Sequence, residues 1–262
     1  MTKSIVFTSL LAISAMDCHC QDNAKAPAFE VASITPCPPG TPPNPGEHNG
    51  MVQFTFPGGR FTAKATTVKF LLEWAFGILP SQHSGGPSWM DDERYDIMAK
   101  ASGNATDREM KLMTQALLIE RFKLKFSREK KEVPVLILAA GKTPPKLFPP
   151  KEDEKNSMRI VPKMGDDQKV ISYHVAATRF SFEQLNLTFA RLLERVIVNR
   201  TGLEGDFDFS FDLTPDENRP NPLDASLLIS ALREQLGLMV KTEKAAVDFM
   251  VIEGAEKVAA GN

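Results

Sequence analysis

The chain has 262 residues, 42% of them hydrophobic and 24% charged, with a formal charge of −2. That is ordinary globular composition, enough for one large domain or two small ones. With no basic excess and no concentrated Lys/Arg stripe, nucleic acid is not an expected partner.

Lys3 supplies a short positive start, and residues 5–16 are apolar apart from Thr8, Ser9 and Ser14. Cys18-His19-Cys20 then places small residues one and three positions before a cut near Gln21. The pattern reads as a signal peptide over residues 1–20, too short to span a membrane. The mature protein is therefore expected in the periplasm or secreted, with no membrane span once the leader is removed. Cleavage would leave Cys37 as the remaining cysteine, so no internal disulfide framework is expected.

Phe29-Glu30-Val31-Ala32-Ser33-Ile34 alternates as a short strand, and six prolines between Pro36 and Pro45 impose an extended linker. A strand over 51–56 turns at Pro57-Gly58-Gly59 into Arg60-Phe61-Thr62-Ala63. Val68, Leu71, Leu72, Ala75 and Phe76 have helical spacing, with Gly77 as the C-terminal cap. The loop Gly85-Gly86-Pro87-Ser88-Trp89 precedes a strand over 95–99. Thr106 and Glu109 form a capping box for a helix bearing Met110, Met113, Leu117 and Phe122. Strands over 123–128 and 133–140 are expected as a hairpin, with Arg128-Glu129-Lys130-Lys131-Glu132 as solvated strand ends or a turn.

After a stretch rich in Pro, Lys, Asp and Glu, the order returns. A capping box at Ser181 and Gln184 opens a helix carrying Leu185, Phe189, Leu192 and Val196. Phe207, Phe209 and Phe211 alternate with acidic and polar residues as a strand buried on one face. Asp224 caps a helix that ends at Gly237, and strands over 238–242 and 247–253 close as a second hairpin. Residues 124–138 align without gaps on 238–252, and 67–73 on 188–194. The expected class is α+β, as two tandem β-α-β-α-β-β units whose antiparallel sheets are covered by helices. The boundaries are a leader at 1–20, an N-terminal strand and Pro-rich linker at 21–57, a first unit at 58–142, a flexible connector at 143–177, a second unit at 178–257 and a tail at 258–262.

Six runs occur in a characteristic order: the strand at 29–34; Gly58-Gly59-Arg60-Phe61-Thr62; Gly85-Gly86-Pro87-Ser88-Trp89 with Tyr95-Asp96-Ile97; Glu120-Arg121-Phe122-Lys123-Leu124; Asn199-Arg200-Thr201-Gly202-Leu203; and Glu234-Gln235-Leu236-Gly237-Leu238. Across residues 28–257 the chain resembles the soil-associated family of exported bacterial proteins known only as a domain of unknown function. The resemblance implies a secreted, stand-alone protein. Similar domains sometimes follow a membrane metallopeptidase of the antibiotic-sensor type, which implies a sensing role. It carries over no catalytic residues, and this chain has no HExxH motif.

The four histidines, His19, His48, His83 and His174, have no zinc-site spacing. His83 beside Ser84 reads as a turn histidine, because adjacent residues rarely pair productively and GxSxG is absent. Asp206, Asp208, Ser210, Asp212 and Glu217 have calcium-loop spacing, but Phe211 stands where that loop needs glycine. The three aspartates are thus weak metal candidates on a strand, and no metal site or cofactor is expected. Trp89, presented by a Gly-Gly-Pro loop, either binds a ligand or plugs the first core. Arg200, in the equivalent loop of the second unit, suits an anionic group, and Arg94 is a third candidate beside the carboxylates of Asp91, Asp92 and Glu93.

The reading these features favour is a non-enzymatic binding or sensing module outside the cytoplasm. It would recognise a small molecule, a cell-wall fragment or an envelope protein through the two loops or the cleft between units. The alternatives are a hydrolase using Asp91 and Glu93, and a structural envelope partner that pairs sheet edges.

Overall fold

The computed structural model describes residues 27–43, 57–152, 154–215 and 225–258. The leader, His48, the strand expected over 51–56, Glu217 and the cap Asp224 lie outside these residues. The first half holds β1 (Val31–Pro36), β2 (Arg60–Thr67), α1 (Val68–Phe76), β3 (His83–Gly85), the single turn α2 (Trp89–Asp92), β4 (Arg94–Lys100), α3 (Asp107–Arg121) and β5 (Lys125–Ala140). The second holds β6 (Ser157–Met164), β7 (Val170–Ser181), α4 (Phe182–Leu192), β8 (Ile197–Arg200), β9 (Asp206–Leu213), α5 (Ala225–Glu234) and β10 (Leu238–Gly254). The chain is α+β, and the stretch 143–177 carries β6 and most of β7.

Local chemistry sets the helix ends. Thr67 Oγ1 accepts from Phe70 N at the start of α1, and Gly77, with φ 64, closes it. Thr106 with Glu109 and Ser181 with Gln184 form full capping boxes on α3 and α4. Each such cap is worth about 1 kcal/mol.

Among the described residues three sheets form, in the orders β1-β4-β2, β6-β7-β9 and β3-β10-β5-β8. The third joins the halves. Its long strands β5 and β10 pair antiparallel, while β3 runs parallel on β10 and β8 parallel on β5. Each half therefore sets its short strand against the other half's long one. The two expected hairpins are absent: residues 125–140 and 238–254 each form one continuous strand, paired with the other. The charged run at 128–132 looked like a turn, but it lies mid-ribbon and exposed. Pro134 sits inside β5, and no ladder bond is lost. Leu136 N donates to Val196 O on the β8 side, and two residues earlier the same side lies beyond the first β5–β8 pair.

The duplication shows in the register. Leu136 pairs with Ile197 and Met250 with His83, so the partners within each pair of contacts lie 114 positions from their equivalents. Both β2 and β7 carry a bulge at the matching place, with Ala65 at φ 47 and Arg179 at φ 46. Asp96 Oδ1 accepts from Ala65 N at 2.9 Å, and Asp208 Oδ1 from Arg179 N at 2.8 Å. The caps Thr67 and Ser181 are equivalent, which corrects the alignment of 67–73 on 188–194 by seven residues. Seven residues are two helical turns, and a slip of one heptad rotates an apolar stripe by only about 20°.

Each core borrows from the other half. Ile34, Phe61, Tyr95 and Ile97 pack against Leu71, Leu72, Met110 and Leu118, and β10 adds Met250 and Ile252. Phe180, Phe209 and Phe211 pack against Leu185, Phe189, Leu228 and Leu232, and β5 adds Leu136 and Leu138. These four donated residues, at symmetry-equivalent positions, bury about 1.5–3 kcal/mol each. The halves are interlocked.

Candidate functional site at the seam between the halves

On α1, the run Leu71-Leu72-Glu73-Trp74-Ala75 is buried throughout, so a carboxylate sits within an apolar face. Glu73 Oε1 meets His83 Nε2, from β3, at 2.9 Å, with side chains only 11% and 6% exposed. That contact makes Nε2 the donor in neutral His83 and leaves Nδ1 a lone pair. Nδ1 is buried and has no partner.

The second half contributes α4. The Arg191 guanidinium carbon lies 5.4 Å from the centre of the Phe70 ring on α1. Its Nε and Nη2 are buried and unpartnered. Burial pushes its pKa down, and the charge of Glu73 opposes that shift. Asn186 Nδ2 donates to Ile197 O at 3.1 Å, while its Oδ1 is buried without a partner. The repeat sharpens the contrast. Glu73 and His83 correspond to Leu187 and Ile197, and Asn186 and Arg191 to Leu72 and Gly77. Polar groups replace apolar ones or extend past a helix end in each copy, and Glu73 and Arg191 face each other across the seam.

Buried polar atoms are nearly always hydrogen-bonded, and leaving one unmade costs about 1–3 kcal/mol. A guanidinium fork is suited to a carboxylate or phosphate, and the Asn186 amide oxygen and the free nitrogen of neutral His83 are each suited to a hydroxyl or amide N–H group.

The residues singled out from sequence are dispersed. Trp89 is half-buried, its ring 6.4 Å from that of Tyr95 and 6.3 Å from that of Phe122, and it plugs the first core. Arg94 Nη1 donates to Ala65 O at 2.8 Å and holds the β2 bulge. Arg200 pairs with Glu243 at 2.9 Å on the surface. Asp208 is engaged by the Arg179 bulge, Asp212 by His174 Nδ1 at 2.9 Å, and Asp206 is exposed. Among the described residues no three His, Cys, Asp or Glu side chains gather to hold a metal ion. Asp91 pairs with Lys69 and Glu93 with Lys257, so these carboxylates do not converge. Cys37 Sγ lies 3.6 Å from Asp96 Oδ1, and burial followed by that carboxylate pushes the thiol pKa up. No helix among the described residues is long and apolar enough to cross a membrane. Glu73 and Arg191 escaped the sequence reading, although a lone carboxylate inside an apolar helical run was a usable signal.

Fold and seam define a class: a tandem-repeat α+β protein whose two copies share a central sheet and bury a polar cluster between them. Residues 69–255 match the family described as Protein of unknown function (DUF3738), and the chain belongs to that family. No curated protein and no solved structure matches it.

Proposed function

We propose that this protein is a non-enzymatic ligand-binding or sensing module that works outside the cytoplasm and takes its ligand at the seam. The unpartnered, buried Nε and Nη2 of Arg191 carry this reading. A ligand with a carboxylate would fill the fork, and its hydroxyl or amide N–H groups would satisfy His83 Nδ1 and Asn186 Oδ1. Cell-wall fragments and small sugar acids have that combination. Export rests on the leader-like residues 1–20, and a sensing role on the resemblance to domains that follow sensor-type metallopeptidases.

The test is a thermal-shift screen of residues 21–262 against peptidoglycan fragments, sugar acids and their neutral counterparts, run beside Arg191→Leu. A ligand present at about 100 times its dissociation constant adds about 2.7 kcal/mol. Acidic compounds should raise the melting temperature of the wild type and not of the variant. Silence across the acidic compounds, or shifts that survive Arg191→Leu, would contradict the reading.

A further inference from the structure

We propose that the free edge of β9 is a strand-addition site for an extended peptide in which apolar residues alternate with basic ones. The proposal is independent of the seam. It starts from a difference between the two copies. In the first half, β1 covers the outer edge of β4 over six residues, from Val31 opposite Lys100 to Pro36 opposite Tyr95. Glu30 N donates to Lys100 O and Cys37 N to Arg94 O, both at 2.8 Å, so the even residues of β4 turn their backbone groups to that edge. In the second half the extra strand, β6, lies instead on β7, and among the described residues β9 is left at the edge of its sheet.

Stand-ins occupy part of that edge. Phe148 makes one isolated bridge, donating to Asp208 O at 2.9 Å and accepting from Asp208 N at 2.8 Å. The side-chain amide of Gln235 mimics a peptide group: Oε1 accepts from Asp212 N at 2.9 Å and Nε2 donates to Asp212 O at 2.7 Å. Strand periodicity aims the N–H and C=O of Ser210, between them, in the same direction. No partner for them is found among the described residues.

The segment bearing Phe148 cannot extend its antiparallel bridge into a strand, because toward Asp206 Pro150 has no N–H to give and toward Ser210 the N–H of Lys146 is committed to Leu236 O. It is pinned on both sides, by Lys146 N on Leu236 O at 3.0 Å and by Arg179 Nε on Glu154 O at 2.8 Å. Between the pins Phe148 is 60% exposed. Such a one-rung cover blunts an edge without filling it. An incoming strand antiparallel to β9 would replace the Phe148 and Gln235 bonds and add those of Ser210. Its inward side chains would meet the half-buried Phe207 and Leu213 at the rim of the second core. Its outward side chains would lie beside the exposed Asp206 and Asp212, which selects Lys or Arg.

The test uses a labelled peptide of eight residues, the length of β9, in which valine alternates with lysine, with binding followed by fluorescence anisotropy. Controls replace lysine with glutamate or N-methylate alternate amides. The lysine peptide should bind, and both controls should bind at least about tenfold more weakly. Ser210→Pro removes an outward N–H without touching the β7 ladder and should weaken binding similarly. Phe148→Pro should strengthen it. Asp212→Lys should shift preference to the glutamate peptide, a readout that holds even if Ser210→Pro fails to fold. Absence of binding, or binding indifferent to N-methylation and to Asp212→Lys, would overturn the proposal.

Discussion

Glu132 and Ala246 stand directly opposite each other at the middle of the β5–β10 ladder, and they are equivalent positions of the two repeats, 114 residues apart. A pseudo-two-fold axis therefore passes between them. The same spacing relates Leu136 to Met250 and Ile197 to His83, so one operation generates both the antiparallel centre and the parallel flanks of the sheet. The seam lies within this frame, where Arg191 of one copy comes within electrostatic reach of Glu73 of the other.

The repeat predicts a stabilising substitution. Lys123, with φ 50, corresponds to Gly237, with φ 71. A left-handed backbone costs a residue with a side chain about 1–2 kcal/mol, part of which glycine returns as unfolded-chain entropy. Lys123→Gly should raise stability by about 0.5 kcal/mol in urea unfolding. Gly237→Ala should lower it by about 1 kcal/mol or more, since the added Cβ would also meet Thr143 Oγ1 at 3.3 Å.

Asp96 predicts a pH dependence. The hydrogen bond from Lys64 is the main cause holding its pKa below the ordinary 3.8, with Ala65 N adding to it and burial opposing. A carboxyl depressed on folding stabilises above its unfolded pKa, and that contribution is lost as pH falls through the folded value. Wild type should thus exceed Asp96→Asn in stability at neutral pH. The gap should close as acid titration passes below 3.8. A gap that persists or widens in acid would show that the charge of Asp96 contributes nothing.

At the seam, the two substitutions should act in opposite directions without ligand. Arg191→Leu removes a buried charge with orphaned donors and should leave melting unchanged or raised. Glu73→Ala leaves His83 with neither nitrogen bonded and should cost about 2 kcal/mol. Equal losses from both would mean that Arg191 is a structural partner of Glu73.

How much was legible in the sequence follows from range. Caps at Gly77, Thr106 and Ser181, and the alternation of Phe207, Phe209 and Phe211, are local signals, and each gave the correct element. The pairing of β5 with β10 joins residues more than a hundred positions apart, and local pattern instead read the charged middle of each strand as a turn. The correspondence of 124–138 with 238–252 was visible, but it said nothing of the two segments touching. Trp89 and Arg200 attracted notice as exposed-looking loop residues. The polar seam depends on α1 and α4 meeting, which no single stretch of chain records.

The interlocked arrangement underlies the seam, and a disulfide tests it most directly. Even residues of β5 turn their backbone groups toward β8, as Leu136 N does, so Glu132 and Ala246 form a non-hydrogen-bonded pair. Their Cα atoms should lie about 4.5 Å apart, within disulfide range. In residues 21–262 carrying Cys37→Ser, Glu132→Cys and Ala246→Cys should form an intramolecular disulfide in the folded monomer, seen by intact mass and by faster migration on non-reducing gels. Two free thiols under the same oxidising conditions, or only crosslinked dimers, would contradict the shared sheet and the seam built on it.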